Sequence, residues 1–125
     1  MNIFTIFAAL ITTNNNNHMK ANFRTEVFLR AYRLTLTGRS FSESLRQSWA
    51  IYRLQKQMKE TIVEFRFRKV DGSIRQAFGT LMERVINPLI KGTGKKHSPA
   101  LITYFDMQKQ EFRCFKEENL ILVRS

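Results

Sequence analysis

Few residues in this chain of 125 are of the types that do covalent chemistry, and their positions keep them apart. His18 and His97 are its histidines and Cys114 its one cysteine. A Cys–His nucleophile pair or a metal site needs several such side chains within bonding reach, at short and recognisable spacings. Neither can be assembled here. Gly92-Thr93-Gly94-Lys95 ends like a phosphate-binding loop, but Leu89 stands where the first glycine belongs and Lys96 replaces the required Ser or Thr. Asp71 and Asp106 are the carboxylates one would pair for acid–base work, and both fall at turn positions where Asp is ordinary. The sequence therefore predicts no catalytic residue, no metal site, no cofactor and no enzyme.

What remains is charge. Lys plus Arg number 21 against 10 Asp plus Glu, a formal net charge of +11. A domain this small with such an excess repels itself when compact, so the field is expected to have a use. The commonest use is attraction to phosphate, in DNA, RNA or an anionic membrane surface. The candidate phosphate contacts are Arg66, Arg68, Lys69, Arg75, Arg113 and Lys116, with Lys95 and Lys96 in a basic loop from Lys91 to Ser98. A cationic sheet face can clamp phosphates and stack on bases, as barrels that bind single strands do. Arg75 and Arg113 are expected on the same outer surface as Arg66 and Arg68. The plain alternative is a solvated exterior, partly neutralised by Glu64, Asp71 and Glu111. A secondary stripe, Arg39, Arg46 and Arg53, recurs every seven residues and so lines up on one helix face. It could track a phosphate backbone in the manner of a helix-turn-helix, or simply face water.

The elements that must position these residues follow from periodicity. Phe23, Val27, Ala31 and Leu34 fall at helical spacing, Arg24, Arg30 and Arg33 lie elsewhere on the circumference, and Gly38 stops the helix. Ser40-Phe41-Ser42-Glu43 is a capping box that opens a second helix. Its apolar stripe is Phe41, Leu45, Trp49 and Tyr52, widened by Ile51, Leu54 and Met58. The period then changes to two. Val63, Phe65 and Phe67 alternate with Glu64, Arg66 and Arg68 as in a half-buried strand, and Asp71-Gly72 is a tight-turn signal. Ser73 to Phe78 returns as a strand with Ile74 and Phe78 inward. Leu81 to Ile90 begins like a short helix that Asn87-Pro88 breaks. Ala100–Asp106, Glu111–Phe115 and Leu120–Val123 are further strands, with Cys114 read as a small packing residue. The expected fold is α+β: an N-terminal helical hairpin over residues 19–60, then a small antiparallel barrel of four or five strands over 61–125 that hides its edges.

Ile3 to Ile11 is apolar but far too short to span a bilayer, and no Lys or Arg precedes it. With the polar tract Thr12 to Asn17 it reads as a disordered or dispensable leader over residues 1–18, Met19 being the functional start. A single cysteine fits a reducing compartment, so a cytoplasmic location without membrane insertion is expected.

Phe65-Arg66-Phe67-Arg68-Lys69-Val70-Asp71-Gly72-Ser73-Ile74-Arg75, Gly79-Thr80-Leu81, Tyr104-Phe105-Asp106 and Phe112-Arg113-Cys114-Phe115 together carry a resemblance. This half of the chain resembles the WYL-related, Sm-like small β-barrel family of bacterial and phage proteins of unknown function. The resemblance implies a five-stranded barrel related to Sm and Src-homology-3 folds. It also implies kinship with WYL domains, which often serve as ligand- or nucleic-acid-sensing parts of regulators. Arg113-Cys114-Phe115 matches the Arg-x-Phe motif of those domains. Thr103-Tyr104-Phe105 stands in the neighbourhood of their Trp-Tyr-Leu, and Asn119 near their second Arg. The expected function is that of a non-enzymatic nucleic-acid-binding or regulatory accessory protein, phage or mobile-element encoded. The alternatives are a protein-interaction or homo-oligomerising module using the hairpin, and a small-molecule sensor of WYL type.

Overall fold

In the computed structural model, which describes residues 23–89 and 98–124, the first apolar period becomes helix α1 (Phe23–Thr35) and the second helix α2 (Phe41–Glu60). After α1 the chain tightens, the N–H groups of Leu36, Thr37 and Gly38 donating to the carbonyls of Arg33, Leu34 and Thr35 at 3.1 Å. Gly38 then takes φ 98°, which a side chain would strain. Ser40 Oγ accepts from the Glu43 N–H at 3.2 Å, the N-cap bond expected there. Residues 1–18, the start at Met19 and the loop lysines Lys95 and Lys96 lie outside the described residues. Among the described residues no helix is long and apolar enough to cross a membrane.

The protein divides into two compact units inside α2, after Tyr52. In the first, α1 buries Val27, Ala31 and Leu34 as its spacing predicts. Phe23, on the same stripe, is exposed and lies against Tyr52, with ring centroids 5.6 Å apart. Arg30, which lies off that stripe, is buried and partnered. The buried line of α2 in this unit runs through Ser44, Ser48 and Ile51, while Phe41, Leu45, Trp49 and Tyr52 are half-buried. Close approach of the helices explains the change. The Ser48 hydroxyl donates to the Val27 carbonyl at 2.6 Å, and such proximity leaves the large rings to flank the contact.

The second unit holds the end of α2 and one antiparallel sheet. Its strands are β1 (Val63–Arg68), β2 (Ile74–Thr80), β3 (Leu101–Asp106), β4 (Glu111–Lys116) and β5 (Leu120–Arg124). A short helix α3 (Glu83–Ile86) and a 3-10 turn (Asn87–Leu89) follow β2, so the stretch ahead of Pro88 starts helical and tightens there. The strand order is β4-β3-β2-β1-β5. β4 and β5 are the edges, and hydrogen bonding does not close the sheet into a ring. The sheet is tied to the end of α2: the Leu81 N–H donates to the Met58 carbonyl at 2.8 Å, and the buried Thr80 hydroxyl lies 3.1 Å from the same oxygen. Those bonds satisfy a carbonyl that a helix end would otherwise leave unpaired.

Register decides which side chains meet. Phe67 stands opposite Arg75, Phe65 opposite Ala77, Val63 opposite Gly79, and Gly79 opposite Asp106. Across β3–β4, Ile102 faces Phe115 and Tyr104 faces Arg113. Opposed residues share a face, so one face collects Phe65, Phe67, Tyr104 and Phe115 in a single aromatic cluster. Phe65 meets Tyr104 edge-on at 4.9 Å, and Phe67 stacks on Phe115 at 4.9 Å. Gly79 is required by this cluster. A Cβ there would come within 2.7 Å of Tyr104 Cδ2 and 2.8 Å of Phe65 Cε1.

The same register corrects the inward residues expected on β2. Ile74 is 60% exposed, because it pairs with Arg68 and shares that residue's outward parity. Phe78 pairs with Glu64 and is half-buried. The inward positions belong to Arg75, Ala77 and Gly79. Cys114 is likewise exposed rather than packed, since Arg113 and Phe115 take the inward parity of β4.

Candidate functional site

The β1–β2 turn is built by its own polar groups. Lys69 N–H donates to the Ser73 carbonyl at 2.7 Å, and Asp71 Oδ1 accepts from both the N–H and the hydroxyl of Ser73. These bonds hold the Asp71 carboxyl below its usual range. Arg68 bends over the turn, donating to the Gly72 carbonyl at 3.1 Å.

At the far end of β3 one carboxylate serves two purposes. Asp106 Oδ1 accepts from the N–H groups of Gln108 and Lys109, at 2.9 and 3.1 Å, and so shapes the β3–β4 turn. Asp106 Oδ2 accepts from the Arg75 guanidinium at 2.5 Å. The Asp106 side chain is 0% exposed, and a buried carboxylate requires a paired cation. That requirement places an arginine on the apolar face of β2.

Tyr104 shares the inward face of β3 with Asp106. Its side chain is fully buried, yet its hydroxyl has no hydrogen-bond partner among the described residues. Burial pushes the phenol pKa up to about 12, so it stays a hydroxyl at neutral pH. Arg113, its cross-strand neighbour, bonds the Glu111 carboxylate, and that hydrogen bond raises the guanidinium pKa further. The Arg113–Glu111 pair is open to water, with side-chain exposures of 36% and 53%.

A cavity of about 370 Å³ opens over this arrangement. Arg68, Lys69, Arg75, Arg113 and Lys116 border it, together with Phe67 and Tyr104. The structure thus gathers five of the basic positions expected to touch phosphate, in a way the expected outer surface did not describe. Arg66 and Arg68 have the opposite parity to Arg75 and Arg113, because Arg75 faces Phe67 and Arg113 faces Tyr104. Arg68 joins the group only through its place at the turn, and Arg66, opposite Gln76, stays outside it. The helical stripe is less uniform than its spacing: Arg46 and Arg53 are exposed on α2, while Arg39 is half-buried and partnered. Among the described residues no group of three or more His, Cys, Asp or Glu could hold a metal ion.

The family model described as WYL_2, Sm-like SH3 beta-barrel fold, matches residues 51–121, more than half of the chain. The chain belongs to the WYL_2 family. No curated protein and no solved structure matches it. The WYL_2 region takes in every residue named around the cavity.

Sequence reasoning did not place Tyr104 or Asp106 among the candidate site residues. A signal was present. The alternation Ile102, Tyr104, Asp106 puts a carboxylate on an apolar face, and such a carboxylate implies a buried cation facing it. Which cation that is depends on register, which turn length and pairing fix.

Proposed function

We propose that this WYL_2 protein is a non-enzymatic nucleic-acid-binding or regulatory accessory protein. The observation that carries the reading is the grouping of Arg68, Lys69, Arg75, Arg113 and Lys116 around one cavity. It comes on a chain whose formal net charge is +11. Arg75 is committed to Asp106, and Arg113 is held by an exposed carboxylate that competing phosphate can displace. The remaining cations border the mouth without an ion pair among the described residues. Such a rim attracts phosphate through a term that weakens with salt, because binding releases counterions.

The test is a salt titration of oligonucleotide binding with the full chain. If about five phosphates are neutralised on duplex DNA, log affinity falls against log salt with a slope near −4.5, or about −3.5 on a single strand. Changing Arg68, Lys69 and Arg113 together to Ala is expected to flatten that slope and weaken binding while the thermal transition persists. Binding that ignores salt between roughly 50 and 200 mM would refute the electrostatic reading. The alternative of a small-molecule sensor is favoured by the cavity itself, whose volume falls within the ~300–1,000 Å³ common for ligand sites.

A further inference from the structure

We propose that the cavity over Tyr104 seats a single nucleotide unit, whether the phosphorylated end of a single strand or a free nucleotide. The proposal rests on the nucleic-acid reading above only for its class of ligand. Two independent features point to a ligand. A fully buried hydroxyl without a partner is costly, and Tyr104, whose hydroxyl has none among the described residues, lines a cavity bordered by cations. The volume of about 370 Å³ is near the lower end of the ~300–1,000 Å³ range for small ligands, which suits one nucleotide and excludes a duplex.

The chemistry divides along the cavity. Arg75 is immobilised by Asp106 and gives a fixed, charge-compensated wall. Arg113 is the adjustable cation, since its partner Glu111 is two residues away on the same strand and open to water. An incoming phosphate draws the Arg113 guanidinium, cross-strand from Tyr104, away from Glu111, and the Tyr104 hydroxyl then donates to a phosphate oxygen. Arg68 and Lys69 close over the seat from the turn, while Phe67 and Leu101 provide apolar wall for the base.

Tyr104→Phe separates this seat from a general cationic surface, because it removes the hydroxyl and leaves the ring and every charge in place. Calorimetric binding of a nucleoside 5′-monophosphate, inorganic phosphate and a 5′-phosphorylated single strand to the full chain gives the comparison. In the parent protein the nucleotide is expected to bind better than inorganic phosphate and to compete with the strand. Tyr104→Phe should weaken nucleotide binding ~10-fold, as for a lost hydrogen bond to a charged group, without lowering thermal stability. Arg113→Gln should weaken it as well. Strand binding unchanged in Tyr104→Phe, with no competition by nucleotide, overturns the seat and leaves the nucleic-acid reading standing. Nucleotide binding without strand binding supports the seat and overturns that reading. Equal affinity for inorganic phosphate and nucleotide, or binding of neither, overturns the seat.

Discussion

The two faces of the β1–β2 hairpin use arginine in opposite ways. On the outward face Arg66 and Arg68 alternate with buried Phe residues and are exposed, as amphipathic patterning dictates. On the inward face Arg75 sits opposite Phe67 and is held by a carboxylate without solvent exposure. The residue type is the same, but one guanidinium is solvated and the other completes a buried pair. A count of basic residues therefore overstates the cations available to a partner. Those free to meet a partner are the ones not committed to a buried acid.

Mutation sharpens this comparison most at Arg75. Arg75→Ala leaves Asp106 buried and unpaired, and we expect a loss of ~3–5 kcal/mol in chemical denaturation. Arg66→Ala should change stability by no more than ~0.5 kcal/mol. Equal effects at the two positions would erase the distinction between the faces.

Gly79→Ala tests the packing beneath the inward face. The added methyl meets Tyr104 and Phe65 at distances real Cβ atoms do not show, so the aromatic cluster must shift. A loss of ~1–3 kcal/mol and a broadened thermal transition are expected. A neutral outcome would mean that the cluster repacks freely.

The smallest effect is in the alkaline range. Tyr104 is raised from 10.0 to about 12, so the unfolded chain loses its phenol proton before the folded chain does. Its contribution is fully present below pH 10.0 and disappears as pH rises towards about 12. A tyrosinate absorbance titration should show a late-ionising phase that is lost in Tyr104→Phe. The same titration in the parent protein and in Tyr104→Phe, apart from one fewer phenol ionising early, would place its hydroxyl in water.

Much of the fold was legible because periods of 3.6 and 2 survive in the sequence. The Val63–Phe67 alternation, the Asp71-Gly72 turn and the Ser40 cap all appear where residue chemistry put them. Parity across the turn was not legible. Ile74 looked inward by hydropathy, yet the turn from Lys69 to Ser73 pairs it with Arg68 and sends Arg75 inward. The helix contact had a similar blind spot. Large apolar residues drew attention on α2, while the buried line passes through Ser44 and Ser48, small enough for backbones to meet. In the candidate site the cations were legible as a set, but their gathering depended on register and on an acid that does more than shape its turn.

Asp106 has a consequence for how the sheet comes apart. β1–β2 and β3–β4 pair along their whole lengths, whereas across β2–β3 the ladder joins Gly79 to Asp106 and Thr80 to Phe105. The Arg75–Asp106 pair and the Met107 N–H bond to the Phe78 carbonyl bridge this narrow seam. Detaching one hairpin from the other would at once strand a charge and loosen the turn that follows it. Fraying at the seam is thereby suppressed, and amide exchange on both hairpins should report one shared opening rather than two.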